Sequence, residues 1–495
     1  MKFISTRGGE CVTGAQAIAQ GIASDGGLFV PETFPAVSRQ ELEEMLPMSY
    51  AERAAAVLHK YLDEYDYEGL KGACEKAYAQ FEGGDPAPLV KIDAGLYILE
   101  LFHGPTCAFK DMALTLLPYL LRTGCDLCGI KEQVLILVAT SGDTGKAALE
   151  GFKNADGVKI MVFYPNDGVS KMQKLQMSTQ EGDNVNVVAV RSNFDVCQSA
   201  VKTIFTGEEY KEELKKRGYI LSSANSINFG RLAPQIAYYF SAYLDLVSSG
   251  QVEMGEEVSF AVPTGNFGNI LAAYYAKRMG LPVGKLICAS NKNNILTDFI
   301  RTGTYDKRRE FFKTMSPSMD ILISSNLERL LFELADRDPV HVRLRMDKLA
   351  QDGVYTLYDD ELEKVRQLFW ADSCGEDETV ETIYEFFEEY QYPMDTHTAC
   401  AMYAASNYMA QHEKESAPMV VVSTASPYKF PQDVMYAITG NDIKDSFKAI
   451  KHLNIATAMK VPVSLSKLRD KPVRFTTVAD KDKLFAEVLK FIDNK

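Results

Sequence analysis

The chain has 495 residues and a mass of 55.1 kDa, too long for one ordinary hydrophobic core, so two to four domains are expected. Hydrophobic residues at 46% and charged residues at 24% are ordinary for a water-soluble globular protein. The balance of 53 Lys+Arg against 67 Asp+Glu, a formal charge of -14, opposes nucleic acid or an acidic membrane as the main partner.

The longest apolar runs, such as VLILVA at 134–139, have strand length and fall far short of the roughly 20 residues that span a bilayer. The opening MKFISTRGG carries no hydrophobic leader, and a cytoplasmic protein is expected. The nine cysteines are dispersed, and the one close pair, Cys125 and Cys128, has no second CxxC to complete a zinc site. The histidines show no ligand spacing either, so no metal site is predicted.

In chain order, residues 1–95 combine a Gly-rich opening with amphipathic helical patterns over SRQELEEMLPMSYAERAAAVLHKYLDEY and YEGLKGACEKAYAQF. GGDPAP at 83–88 reads as a linker. A repeated unit of strand, glycine loop and helix follows: LYILELF before a helix bearing Lys110, then QVLILVATSGDTGKAALEGF, VKIMVFYP with SKMQKLQM, VNVVAV with FDVCQSAVKTIF, and VSFAVPTGNFGNILAAYYAKRMG with KLICAS. PMVVVSTASPYKF supplies a last clear strand and loop. Short strands apolar on both faces and separated by helices specify parallel α/β layers, whose ligands lie beyond the carboxyl ends of the strands. Between 303 and 390 long charged helical segments predict a mainly helical insertion, with Trp370 as packing. Residues 451–495 read as a small closing element.

Two of the loops have the chemistry of anion cradles. ATSGDTGKAA at 139–148 follows a strand and opens a helix, so Ser141 and Thr144 add hydroxyls to helix-terminal N–H groups that lack intrahelical acceptors. A plain capped turn is the alternative. VPTGNFGNI at 262–270 has the same setting and denser donors, from Thr264 through Gly265, Asn266, Phe267, Gly268 and Asn269. Neither loop has the spacing of a P-loop or a dinucleotide fingerprint.

Lys110 stands between apolar residues at the start of a helix. A charged amine that is partly desolvated near the positive end of a helix is disfavoured on two counts, so its pKa is predicted to fall from about 10.4. A neutral amine is a nucleophile able to form a Schiff base. One lysine with one phosphate cradle suits pyridoxal 5'-phosphate, and a second cradle suits an amino-acid substrate with its own anionic groups. SSANSINFGRLAPQIAYYF at 222–240 offers Asn225, Asn228, Arg231 and Gln235, with Arg231 able to clamp a carboxylate or phosphate bidentately. Lys171 and Gln173, after YPNDGVS, offer a weaker version. Ser423, Thr424 and Ser426 place hydroxyls at a strand end, and Asp395 and His397 either border the pocket or cap a helix.

The ordered set STRG, SDGGLFVPE, ELFHGPTCAFKD, TSGDTGKAA, NSINFGRLAPQ, VPTGNFGNI and STASPYKF resembles the threonine synthase family, pyridoxal-phosphate enzymes of fold type II, over nearly the whole chain. Three positions depart from the family's usual residues: Cys107, Phe229, and Thr396 within DTHTA at 395–399. The resemblance implies two three-layer α/β domains around a cofactor cleft. It implies an N-terminal domain over 1–95, a large cofactor domain over 96–130 and 251–450 that contains the 303–390 insertion, a small mobile domain over 131–250, and a closing segment over 451–495. It implies pyridoxal 5'-phosphate held covalently by Lys110, its phosphate in the turn Gly265, Asn266, Phe267, Gly268 and Asn269, and Thr424 facing its ring nitrogen. Ser141, Asp143 and Thr144 would then face cofactor and substrate, with Lys171 and Arg231 sharing the substrate's anionic groups.

The implied reaction converts O-phospho-L-homoserine and water to L-threonine and phosphate by elimination and β-hydration, with Lys110 as acid and base, in a monomer or homodimer. Two rivals stay open on the sequence: another lyase of the fold, such as a threonine or serine dehydratase, and a noncatalytic phosphate- or amino-acid-binding protein.

Overall fold

Strands such as Val258–Pro263 and Gln133–Ala139 carry apolar side chains on both faces, which burial on both sides of a parallel sheet requires. The computed structural model, which describes residues 1–140, 142–166, 169, 171–192, 194–415 and 417–493, builds them into two parallel layers.

The larger sheet has the strand order Phe369–Ser373, Val283–Ser290, Val258–Pro263, Met419–Ser423, Leu96–Glu100, Leu89–Asp93. All neighbours are parallel except the last pair, a hairpin turned at Gly95 with a φ of 74° that favours glycine. The smaller sheet is parallel throughout, in the order Val478–Ala479, Val185–Val190, Val158–Pro165, Gln133–Ala139, Tyr219–Ser222. Ahead of both, Lys2–Ser5, Cys11–Thr13 and Phe29–Pro31 form a three-stranded antiparallel sheet.

Several segments fall differently from the sequence expectation. Residues 303–390 are not only helical: Phe369–Ser373 is the edge strand of the larger sheet, Thr304–Asp306 pairs with Val354–Thr356, and residues 317–328 help to wall the central cleft. The helix Phe229–Ser248 lies within the 131–250 segment, yet it packs on Gly268–Arg278 and Tyr50–Tyr61 and so builds the larger layer. Leu89–Asp93, inside 1–95, is an edge of the larger sheet. The last segment crosses to the smaller sheet, adding Val478–Ala479 beside Val185–Val190 and burying Leu484 and Val488 against that unit.

The N-terminal helices start where the sequence signals them. Ser38 and Ser49 each accept from the backbone N–H of Glu41 and Glu52, whose side chains return to the serine N–H groups. Phe229 is buried with its ring centroid 4.6 Å from Phe3 and 5.4 Å from Tyr61, so it joins the N-terminal unit to the large one. Truncating such a side chain costs about 3–5 kcal/mol. Among the described residues no helix is long and apolar enough to cross a membrane.

Candidate functional site

A cleft of about 2220 Å³ opens at the carboxyl ends of both parallel sheets. That exceeds the roughly 300–1,000 Å³ of ordinary small-molecule pockets, as expected for an open space between two layers. Lys110, Asp143, Thr144, Arg231, Gly265, Asn266, Phe267, Gly268, Asn269 and Thr424 all line it. Lys171 does not: it is exposed at the start of the helix Lys171–Ser178, while Gln173, two residues on, reaches the wall. Ser141 lies outside the described residues.

The position of Lys110 is built by pairing two strand ends. The chain leaves Leu96–Glu100, turns at Cys107 with a φ of 59°, and runs antiparallel to the segment after Met419–Ser423. Phe109 N donates to Thr424 O at 2.8 Å and Ser426 N to Cys107 O at 3.1 Å. The buried Asp111 carboxylate accepts from Thr106 N at 2.7 Å and Thr106 Oγ1 at 2.6 Å, closing the turn from inside. Burial raises its pKa to about 6 in spite of those bonds.

Lys110 then occupies the N-cap position of the helix Asp111–Leu114, half-buried, with its amine 4.8 Å from the Phe109 ring centroid and 3.5 Å from Ser318 Oγ. Its pKa falls to about 8. Loss of water is the main cause; Lys429 and Arg231 push it further down, while Asp143 and Asp111 oppose them. A useful fraction of the amine is therefore neutral near neutral pH.

The turn after Val258–Pro263 gives a ring of donors. Phe267 adopts the left-handed conformation, φ 60°, and opens the helix Gly268–Arg278, whose first N–H groups have no intrahelical acceptors. At Gly265 a Cβ would stand 2.7 Å from the Ser318 carbonyl oxygen, so only glycine lets the two backbones meet. Ser324 Oγ holds Gly265 O at 2.8 Å and Asn326 Nδ2 holds Asn266 O at 3.0 Å.

Asn269 is fixed by Tyr238 and Tyr239, whose hydroxyls donate to Oδ1 at 2.5 and 2.6 Å, and its buried Nδ2 has no acceptor in the protein. The helix of those tyrosines, Phe229–Ser248, also carries Arg231, 3% exposed. Its guanidinium donates to Ala224 O at 2.5 Å through one terminal nitrogen and leaves Nε without a partner. Burial lowers its pKa to about 10, which keeps it charged at neutral pH. Two buried donors without protein acceptors, on residues that line one cleft, have the chemistry that suits an anion.

At the described residues of the SGDTG loop the structure builds the capped turn that the sequence allowed as the alternative to a cradle. Thr140 Oγ1 accepts from Gly142 N and Gly145 N at 3.1 Å each, which caps the helix Asp143–Gly151. Asp143 turns away from that cap to Lys429, with a contact of 2.9 Å between groups that are each 2% exposed. Burial alone would raise the Asp143 pKa, but Lys429 and then Lys110 outweigh it and hold the carboxyl below its usual range. Lys429 is likewise held above its ordinary value by Asp143 against its own burial, and donates to Thr106 O at 2.9 Å.

Of the remaining expectations, Asn228 caps the arginine helix and Asn225 faces the cleft. Asp395 and His397 divide the two roles, Asp395 capping a helix and His397 bordering the cleft. The helix is Thr396–Gln411, and Asp395 also grips His397 Nδ1 at 2.8 Å. Sequence reasoning missed Lys429 and Ser318. The first sits in the STASPYKF loop, where a lysine six residues past a strand looks solvated; the second has no signal beyond a turn-forming SPS.

Comparison with known proteins places this geometry. Residues 2–78 match the family described as threonine synthase N terminus, 81–425 pyridoxal-phosphate dependent enzyme, and 398–492 threonine synthase, C-terminal. Threonine synthase of Pseudomonas aeruginosa is 37% identical over 494 residues, 99% of this chain and 98% of that protein. The chain belongs to the threonine synthase family. A crystal structure of pyridoxal-phosphate-bound threonine synthase from Brucella melitensis superposes with a TM-score of 0.88 at 38% identity, covering 99% of this chain and 98% of that one. Human threonine synthase-like 1 is 41% identical over 447 residues, 87% of this chain. The chain spans 59% of the length of that relative and 66% of its mouse counterpart. Fold type II is thus the fold of this threonine synthase family member, with the cleft at the strand ends as its candidate active site.

Proposed function

We propose that the chain catalyses the threonine synthase reaction with pyridoxal 5'-phosphate, converting O-phospho-L-homoserine and water to L-threonine and phosphate in the cytoplasm. The observation that carries the reading is a half-buried lysine, its pKa near 8, sharing a cleft with two buried donors that have no protein acceptor, Asn269 Nδ2 and Arg231 Nε. The donor set fits the cofactor: the turn Gly265–Asn269 would hold its phosphate, Lys110 would hold it covalently, and Thr424 would face its ring nitrogen. Pyridoxal phosphate, when bound, supplies a conjugated sink for the electron pair left at carbon. Thr424 in that place, rather than an aspartate, would leave the ring nitrogen without a full counter-charge.

The chain's own groups do the rest. Lys110 Nζ, in its neutral form, takes the proton from substrate Cα and then one from Cβ, and the phosphate departs from Cγ with its bonding electrons. Water adds its oxygen at Cβ, and protons return to Cγ and Cα. Arg231 orients an anionic group of the substrate, and Asp143 with Thr144 walls the cleft from the smaller sheet. Nine free cysteines, of which only Cys11 is exposed, support a reducing compartment.

The test is stoichiometry. Given O-phospho-L-homoserine, the loaded enzyme should release phosphate and L-threonine in equal amounts. A keto acid without threonine would point to a dehydratase, and ligand binding without turnover to a noncatalytic protein.

A further inference from the structure

The wall opposite Lys110 contains a hydroxyl whose direction is set by its surroundings. Ser318, in the short turn Pro317–Met319, places Oγ 3.5 Å from Lys110 Nζ and 3.4 Å from Asp143 Oδ2. An ionised carboxylate only accepts, so the single hydroxyl proton of Ser318 goes to Asp143 and its lone pairs face the lysine. Lys110 must then present an N–H to Ser318. Both contacts are at the long limit of hydrogen bonding, common at sites that tighten when ligand arrives.

The turn that carries Ser318 is pinned from behind. Ser318 N donates to His397 Nε2 at 3.1 Å, while His397 Nδ1 faces Asp395 Oδ1 at 2.8 Å. Because Nε2 accepts, the ring proton sits on Nδ1, where Asp395 receives it. Asp395 is itself fixed by the N–H groups of His397 and Thr398 and by the Thr398 hydroxyl. His397 also packs on Phe430 at 4.8 Å between centroids. Asn291 binds Thr314, Ser316 and Asp320 on the other side of the turn.

We infer that Ser318 orients the amine of Lys110, and that His397, locked by Asp395, is the positioning residue that keeps Ser318 there. The charged groups around the amine are Asp143, Lys429, Arg231 and Asp111; those around His397 are Asp395, Asp143 and Asp320. The Ser318 oxygen accepts from the amine and so favours its protonated form. The inference rests on the proposed role of Lys110, but its test does not need turnover.

In the cofactor-free full chain, the pH midpoint of Lys110 acylation by acetic anhydride can be read by mass spectrometry. For Ser318→Ala the midpoint should fall by about half a pH unit, because the amine loses an acceptor while staying desolvated. A turn that merely came apart would let water in and move the midpoint upward, toward about 10.4. His397→Gln keeps an acceptor near Nε2 and should leave the midpoint near that of the parent. His397→Phe should lower it as Ser318→Ala does, and the two changes combined should add little to either alone. In the loaded enzyme Ser318→Ala should lower kcat about tenfold with KM within about twofold. An unchanged midpoint, an upward one, or additive effects of the two changes would overturn the inference. A parent that forms no threonine yet shows the downward shift would overturn the proposed reaction and keep the inference.

Discussion

Asp143 and Lys429, 286 positions apart in the sequence, meet as a fully buried ion pair at 2.9 Å, joining the end of the smaller sheet to the loop after the central strand of the larger one. Removing one partner of such a pair leaves the other charge buried and alone. Lys429→Met is therefore expected to lower stability by about 3–5 kcal/mol, measured by urea unfolding at neutral pH. Replacing both, Lys429→Met with Asp143→Leu, should recover most of that loss while leaving the enzyme inactive. The pair also gives a pH signature. Asp143 has a folded pKa below its unfolded value, so its contribution is present above about pH 4 and is lost as pH falls through the folded value. The acid limb of unfolding should be shallower in the double variant.

Lys110, its pKa also lowered, works against the fold at neutral pH. Its folded pKa, about 8, lies below that of a free lysine, so between about pH 8 and 10.4 the unfolded chain binds more protons and stability rises with pH. At pH 7 the buried amine costs the fold up to about 3 kcal/mol. Lys110→Met should thus be more stable than the parent at pH 7, with the gap closing by about pH 10. It should also lose at least about a thousandfold in turnover. Paired unfolding curves at the two pH values, with phosphate release, check both.

Gly265→Ala drives a methyl group toward the Ser318 carbonyl oxygen. The two backbones must separate, spreading the donors of the 265–269 turn. Affinity for pyridoxal phosphate should drop by about tenfold to a hundredfold, and stability by about 1–3 kcal/mol, read by absorbance titration of the cofactor and by thermal unfolding.

Arg231→Lys keeps a positive charge but removes the planar fork and its unpartnered Nε. The expected result is a rise in KM for O-phospho-L-homoserine of about tenfold to a hundredfold, with a smaller change in kcat. Steady-state kinetics at constant ionic strength decides it.

Local signals were legible where the chemistry is local. The Gly265–Asn269 turn is readable because a glycine-rich strand-to-helix junction leaves backbone donors unpaired whatever surrounds it, and the SRQE and SYAE boxes fix helix starts through neighbours three residues apart. The apolar runs at 133–139 and 258–263 declare interior parallel strands. Phe369–Ser373 was hidden within a charged helical stretch, because an edge strand shows too little of a buried pattern to stand out. Val478–Ala479 is too short to signal at all. The long helix Phe229–Ser248 follows the smaller sheet in the chain but packs in the larger layer, a choice made by its apolar faces meeting Tyr50–Tyr61 and Gly268–Arg278.

The residue types at the centre, Lys110, a donor-rich glycine turn and an arginine on a helix start, were determined by the sequence alone, since each stands in a motif whose local geometry is self-contained. Only the tertiary structure decided what Lys110 touches. Ser318 lies 208 positions away from it, and Lys429, His397 and Asp395 lie in other elements again. Proton affinity depends on lost water and on charges brought within a few ångströms, and those are properties of packing between distant segments that no stretch of chain carries by itself.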